Sequence, residues 1–287
     1  MAFEKRTVLP GSENVQRPGL QPVGKLTSDE TIQISVILRR KRESSAAAIA
    51  SGAVRTLTHP EFQQSHGANS GDVQLVEEYA HEMGLTVVDA SPQKRRVILA
   101  GTAQQLQAAF GAELVEYRSA TGHIYRGRSG NLSVPAELEG VVKAILGFDA
   151  RPVAKPHFRV KQQPAPAGTF TPAQVAALYS FPVGLTGKGQ TIAIIELGGG
   201  YRASDLAAYF KSQKVTAPKV TAVSVDGGKN TPGTDADGEV LLDIEVAGTI
   251  AHGANIAVYF APNTDAGFVD AITDAVHDTV RKPSVMA

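Results

Sequence analysis

Hydrophobic and polar positions along the chain change period several times, and each change marks an element. Residues 31–38 alternate apolar and polar side chains, which predicts a half-buried strand. Gly71-Asp72 opens a helix with Val73, Val76, Ala80 and Met83 on one face, stopped by Gly84. Strands follow at 86–88 and 96–99. Thr102 caps a second helix, whose stripe is Ala103, Leu106 and Phe110 and whose end is Gly111. Residues 114–118 and 123–126 read as two strands joined by the turn 119–122. Ser133 and Pro135 start a short helix, which Gly140 weakens. This order predicts an antiparallel α+β unit, with a small ferredoxin-like sandwich as its natural form.

The second half changes class. Residues 191–195 are a continuous apolar run, the pattern of a strand buried on both faces. Gly198-Gly199-Gly200 follows, then a helix at 204–210, a strand at 220–225, and a helix carrying Glu239. A strand at 256–259 and a helix at 265–277 come next, and Ser284-Val285 begins another strand. Alternating strands and helices predict a parallel α/β sheet. Its end in mid-strand reads as a truncated domain.

Between the halves, residues 151–168 hold four prolines and four Lys or Arg with almost no apolar periodicity, so they read as an exposed, semi-extended linker. Residues 1–29, rich in Pro and Gly, read as an extended arm. The organisation expected is therefore a first domain at 1–150, a linker at 151–168 and a second domain at 169–287.

Lys and Arg (28) balance Asp and Glu (28), so no bulk field points to nucleic acid or a membrane surface. Cysteine is absent, which excludes disulfides and thiolate metal sites. The first fourteen residues lack the apolar run of a standard signal peptide, and no segment approaches a membrane span.

Candidate chemistry centres on Asp237-Gly238-Glu239 and Asp243. Glu239 and Asp243 are one turn apart, on one helical face whose neighbours are Leu242, Val246, Ala247 and Ile250. Two carboxylates in an apolar stripe raise each other's pKa and tend to hold one proton between them. One can then act as a base and the other orient it. A helix N-terminus also favours acids through its dipole, so a purely structural role stays open.

Other motifs add less. Strand, glycines, helix and then Asp226 resemble the outline of a dinucleotide-binding unit, but three contiguous glycines miss the G-x-G-x-x-G spacing. His59, His66, His81, His123, His157, His252 and His277 show no ligand spacing, and there is no G-x-S-x-G elbow.

Longer stretches carry a family resemblance. They include 57–62 with His66-Gly67-Ala68, 84–88, Gly101-Thr102-Ala103, 108–111 and Val134-Pro135. In the second half they include Thr171-Pro172, 179–182, 192–201, 237–248 and 259–268. From about residue 30 to its end the chain resembles the sedolisin (serine-carboxyl) peptidases, in the form of a kumamolisin-type proenzyme. The resemblance implies an activation prodomain followed by the N-terminal part of a subtilisin-like α/β catalytic domain, which cleaves peptides at acidic pH. It makes Glu239 the general base toward a serine nucleophile and Asp243 the carboxyl that orients it. A carboxylate base stays ionised at pH values where a histidine is protonated.

The resemblance also implies a prodomain that covers the catalytic cleft, a protein or peptide substrate, a secreted location, and no nucleic-acid or membrane partner. The family's nucleophile lies in a Gly-Thr-Ser motif, and its oxyanion aspartate and calcium site also lie further downstream. None of these is found in the 287 residues. The chain is thus expected to be inactive as a peptidase and to hold no cofactor. Two other readings stay open: a prodomain acting as an inhibitory or folding-assistant binding module, and a nucleotide-binding α/β protein.

Overall fold

The computed structural model describes residues 3–13, 20–26, 31–43, 45–52, 55, 57–155 and 170–287. Most of the stretch expected as a linker, and His157, fall outside these residues. The chain folds into two compact units, Met1–Arg151 with Thr264–Ala266, and Pro152–Asn263 with Gly267–Ala287.

The first unit opens with strands β1 (Arg6–Val8), β2 (Gln21–Lys25) and β3 (Ile32–Leu38). Helices α1 (Ala46–Ala50), α2 (His59–His66) and α3 (Ser70–Glu82) follow, then β4 (Thr86–Ser91), β5 (Arg96–Gly101) and α4 (Ala103–Phe110). Strands β6 (Glu113–Arg118), β7 (Ile124–Ser129), β8 (Ser133–Pro135) and β9 (Val142–Leu146) complete it. The alternating pattern at 31–38 is the centre of an antiparallel sheet of order β4-β5-β3-β9. Its buried face packs with Val73, Val76 and Tyr79 of α3 and Leu106 and Phe110 of α4 into one core.

Sequence expectations change here at four points. The arm at 1–29 contributes two paired strands: β1 pairs with β8, and β2 is the edge of a second sheet, β2-β6-β7. The short helix expected from Ser133 is a strand followed by a single 3-10 turn at Ala136–Leu138. Gly140 then takes φ +72°, a left-handed conformation that starts the unpredicted β9. The helix α2 also went unpredicted, although Thr58 and Glu61 form a full capping box at its start.

The second unit contains α5 (Pro172–Leu178), β10 (Thr191–Glu196), α6 (Ala203–Ser212), β11 (Lys219–Ser224) and α7 (Asp237–Ile250). β12 (Asn255–Phe260), α8 (Asp265–Val276) and β13 (Val285–Met286) follow. The four strands form a parallel sheet of order β11-β12-β10-β13. β10 and β12 are its middle strands, which explains their unbroken apolar runs. One face packs Ile194, Ile256 and Val258 against Leu206, Phe210, Val240 and Ile244. The other packs Ala193, Ala257 and Tyr259 against Ala271 and Ala275 of α8.

Candidate active site

The parallel sheet sets the site. In open α/β sheets, reactive and ligand-binding groups gather beyond the C-terminal ends of the strands. Glu196 is the last residue of β10, opposite Phe260 of β12, and only 7% exposed. No donor among the described residues reaches its buried Oε1. Burial, followed by the charges of Asp243 and Glu239, pushes its pKa up to about 8.

The other two acids stand on α7. The helix buries Val240, Ile244 and Gly248, at i, i+4 and i+8, toward the sheet and α6. Gly248 is required there, because a Cβ would lie 2.6 Å from the ring of buried Phe210. Glu239 and Asp243 flank this buried row and are half-buried. Desolvation first, then the charge of Glu239, raises the Asp243 pKa.

The apolar surroundings expected from sequence are differently arranged. Leu242 is 43% and Val246 40% exposed, so the desolvation of Asp243 does not come from a stripe formed by those two residues. The pair is not joined by a hydrogen bond, but the charge of Glu239 acts on Asp243, and both act on Glu196. Three carboxyl groups thus share one neighbourhood, and no cation among the described residues lowers the pKa of Glu196 or Asp243. Glu196 therefore stays protonated well above the usual carboxylate range, and Asp243 is raised in the same direction. A set of carboxyls of this kind can accept a proton on one member while another, kept neutral, donates a hydrogen bond.

Sequence reading singled out Glu239 and Asp243 and missed Glu196. Its signal is a lone acid closing a buried apolar strand, which no spacing rule couples to a helix more than 40 residues away. The glycines after it are used for close packing. A Cβ on Gly200 would stand 2.4 Å from Pro232 N, and one on Gly199 2.9 Å from the Ala236 carbonyl carbon. The loop therefore sits against the chain that leads into α7. Among the described residues, no group of three or more His, Cys, Asp or Glu is placed to hold a metal ion, and no helix is long and apolar enough to cross a membrane.

Sequence comparison gives this arrangement its class. Residues 18–151 match the family model of the pro-kumamolisin activation domain. Kumamolisin of Bacillus sp. (strain MN-32) is 45% identical over 304 residues, covering 99% of this chain and 55% of that protein. Tripeptidyl-peptidase sed5 of Aspergillus fumigatus is 27% identical, covering 92% and 52%, and sedolisin of Pseudomonas sp. (strain 101) is 24% identical, covering 93% and 49%. Residues 18–151 are thus an activation domain of the pro-kumamolisin type, and the chain as a whole is similar to peptidases of the sedolisin family. It spans about half the length of these curated relatives.

Proposed function

We propose that the chain is the N-terminal portion of the zymogen of a secreted, acid-acting serine-carboxyl endopeptidase. In this reading 1–150 is the inhibitory prodomain, 151–168 the processing linker and 169–287 the first part of the catalytic domain. Glu239 takes the proton of a serine hydroxyl as its oxygen attacks the scissile carbonyl, and Asp243 orients Glu239. The supporting observation is the half-buried acid pair on α7, with no cation among the described residues to lower the Asp243 pKa, in a chain 45% identical to kumamolisin across 99% of its length. The order β3-α3-β4-β5-α4-β9 with its antiparallel sheet supports a ferredoxin-like prodomain. The parallel sheet flanked by α6, α7 and α8 supports a subtilisin-like catalytic fold.

No Gly-Thr-Ser motif occurs in the 287 residues, so the serine must come from sequence outside them. The test is to read the source DNA past codon 287 and express the longer product. The expected result is an in-frame Gly-Thr-Ser segment and an acid-pH peptidase that loses at least about a hundredfold of its turnover in Glu239→Ala. A longer product without that motif, or full activity in Glu239→Ala, overturns the proposal.

A further inference from the structure

Glu196 and α7 approach each other through two loops, and one side chain ties those loops together. The loop after β10 runs through Gly198, Gly199 and Gly200 to Tyr201. The loop before α7 runs from Gly227 to Ala236. Tyr201 N donates to Asn230 Oδ1 at 2.7 Å, and Asn230 Nδ2 donates to Tyr201 O at 3.0 Å. One amide thus satisfies both backbone groups of one residue, as a neighbouring strand would. Thr231 N adds a third bond, to Gly199 O at 3.0 Å. The far end of the second loop is fastened to α7 itself, where Gly233 N donates to Asp237 Oδ2 at 2.6 Å and Thr234 Oγ1 to Oδ1 at 3.2 Å. Ala236, at the N-cap, offers no side-chain cap, so this loop is what fixes the helix start.

We infer that Asn230 is a positioning residue, which holds Glu196 at a fixed distance from Glu239 and Asp243 by locking the loop after β10 to the loop before α7. The geometry carries this. The clamp lies five residues from Glu196 along one loop and nine from Glu239 along the other. The close approach of Gly199 and Gly200 to Ala236 and Pro232 leaves the two loops little room to slide. Glu196 has no direct hydrogen bond to either helix acid, so its place relative to them is set by this backbone tie together with the packing of Ile194 against Val240 and Ile244. Without the amide, two backbone groups of a half-buried loop need water, and water then reaches the carboxyl cluster. The catalytic meaning of the clamp rests on the proposed role of the α7 acids; the positioning itself is a property of this chain.

The test follows the carboxyl titrations of the 287-residue chain by 13C NMR, which needs no peptidase activity. In the parent, Glu196 is expected to titrate near pH 8. In Asn230→Ala its midpoint is expected to fall by about one pH unit or more, a tenfold weaker proton affinity, with the circular dichroism of the fold retained. Asn230→Ser, too short to bridge both backbone groups, should move in the same direction and serves if the alanine variant does not fold. Val220→Ala, which loosens the core at β11, should leave the midpoint unchanged. An unchanged midpoint in the folded Asn230 variants, or an equal fall in Val220→Ala, overturns the positioning role. A parent Glu196 titrating in the ordinary carboxylate range overturns the carboxyl cluster instead.

Discussion

At neutral pH the folded chain must keep Glu196 as a neutral acid that the unfolded chain would ionise. Its folded pKa of about 8 lies above the ordinary 4.5. Below pH 4.5 both states are protonated and the residue has no net effect on stability. Between 4.5 and 8 the unfolded state alone loses the proton, so stability falls as pH rises and levels off above 8. Asp243 is displaced in the same direction and adds to the slope. The second unit is therefore expected to withstand urea better at pH 4 than at pH 8. Glu196→Gln should remove most of that difference and stabilise the unit at pH 8 by a few kcal/mol, on the order of 1.4 for each tenfold change in proton affinity. Denaturation midpoints at the two pH values check this, and a parent more stable at pH 8 contradicts it.

Among the elements, α7 and α4 show how much single contacts carry. α7 crosses α6 at Gly248, against Phe210 and Pro218, both within 3 Å of where a Cβ would stand. Alanine is worth up to about 1 kcal/mol more than glycine within a helix. Here that gain is outweighed, because the buried ring of Phe210 has no space to yield. Gly248→Ala should thus lower stability by about 1–3 kcal/mol, the range for overpacked cores. A rise in the thermal midpoint would count against the crossing as described. In α4, Thr102 and Gln105 form a capping box, and Gln105 also donates to Gly84 O at 2.6 Å. Thr102→Ala should cost the first unit about 1 kcal/mol, read from its urea midpoint.

On the scale of the whole molecule the two units differ in how fully they bury their apolar surface. The first has one continuous core from Leu9 to Phe148. The second has a smaller core on each face of its sheet, and leaves Phe170, Leu178, Tyr179, Phe181, Val183 and Leu185 exposed along one stretch. A run of exposed apolar side chains of this kind favours association and local opening. Limited proteolysis should cut first between 151 and 170, leave a resistant fragment ending near residue 150, and degrade 169–287. Mass spectrometry showing the second unit as the survivor would reverse that order. On the role proposed for Glu239, the 287-residue chain assayed alone should cleave no protein substrate at any pH, because it holds no Gly-Thr-Ser serine for that base to serve. Cleavage of an acid-denatured protein by the pure chain would refute this.

Periodicity alone determined most of the elements. β3, α3, α4, β10 and β12 each carry a strong period of two, a period of 3.6 or an unbroken apolar run, because burial on one face or two leaves that trace. The spacing of Glu239 and Asp243 likewise follows from the helix repeat. Short or edge elements left weaker traces: β1 and β2 lie in Pro- and Gly-rich sequence and exist through pairing with distant strands, and β9 begins only after Gly140 turns left-handed. The apolar neighbours assigned to the acid pair also depended on packing, since the core selected the Val240, Ile244 and Gly248 face of α7 and left Leu242 and Val246 exposed. Glu196 was beyond local pattern altogether. A strand end and a helix start more than 40 residues apart meet only when parallel pairing places β10 in the middle of the sheet and the Asn230 clamp closes two loops, and chain spacing holds no record of either.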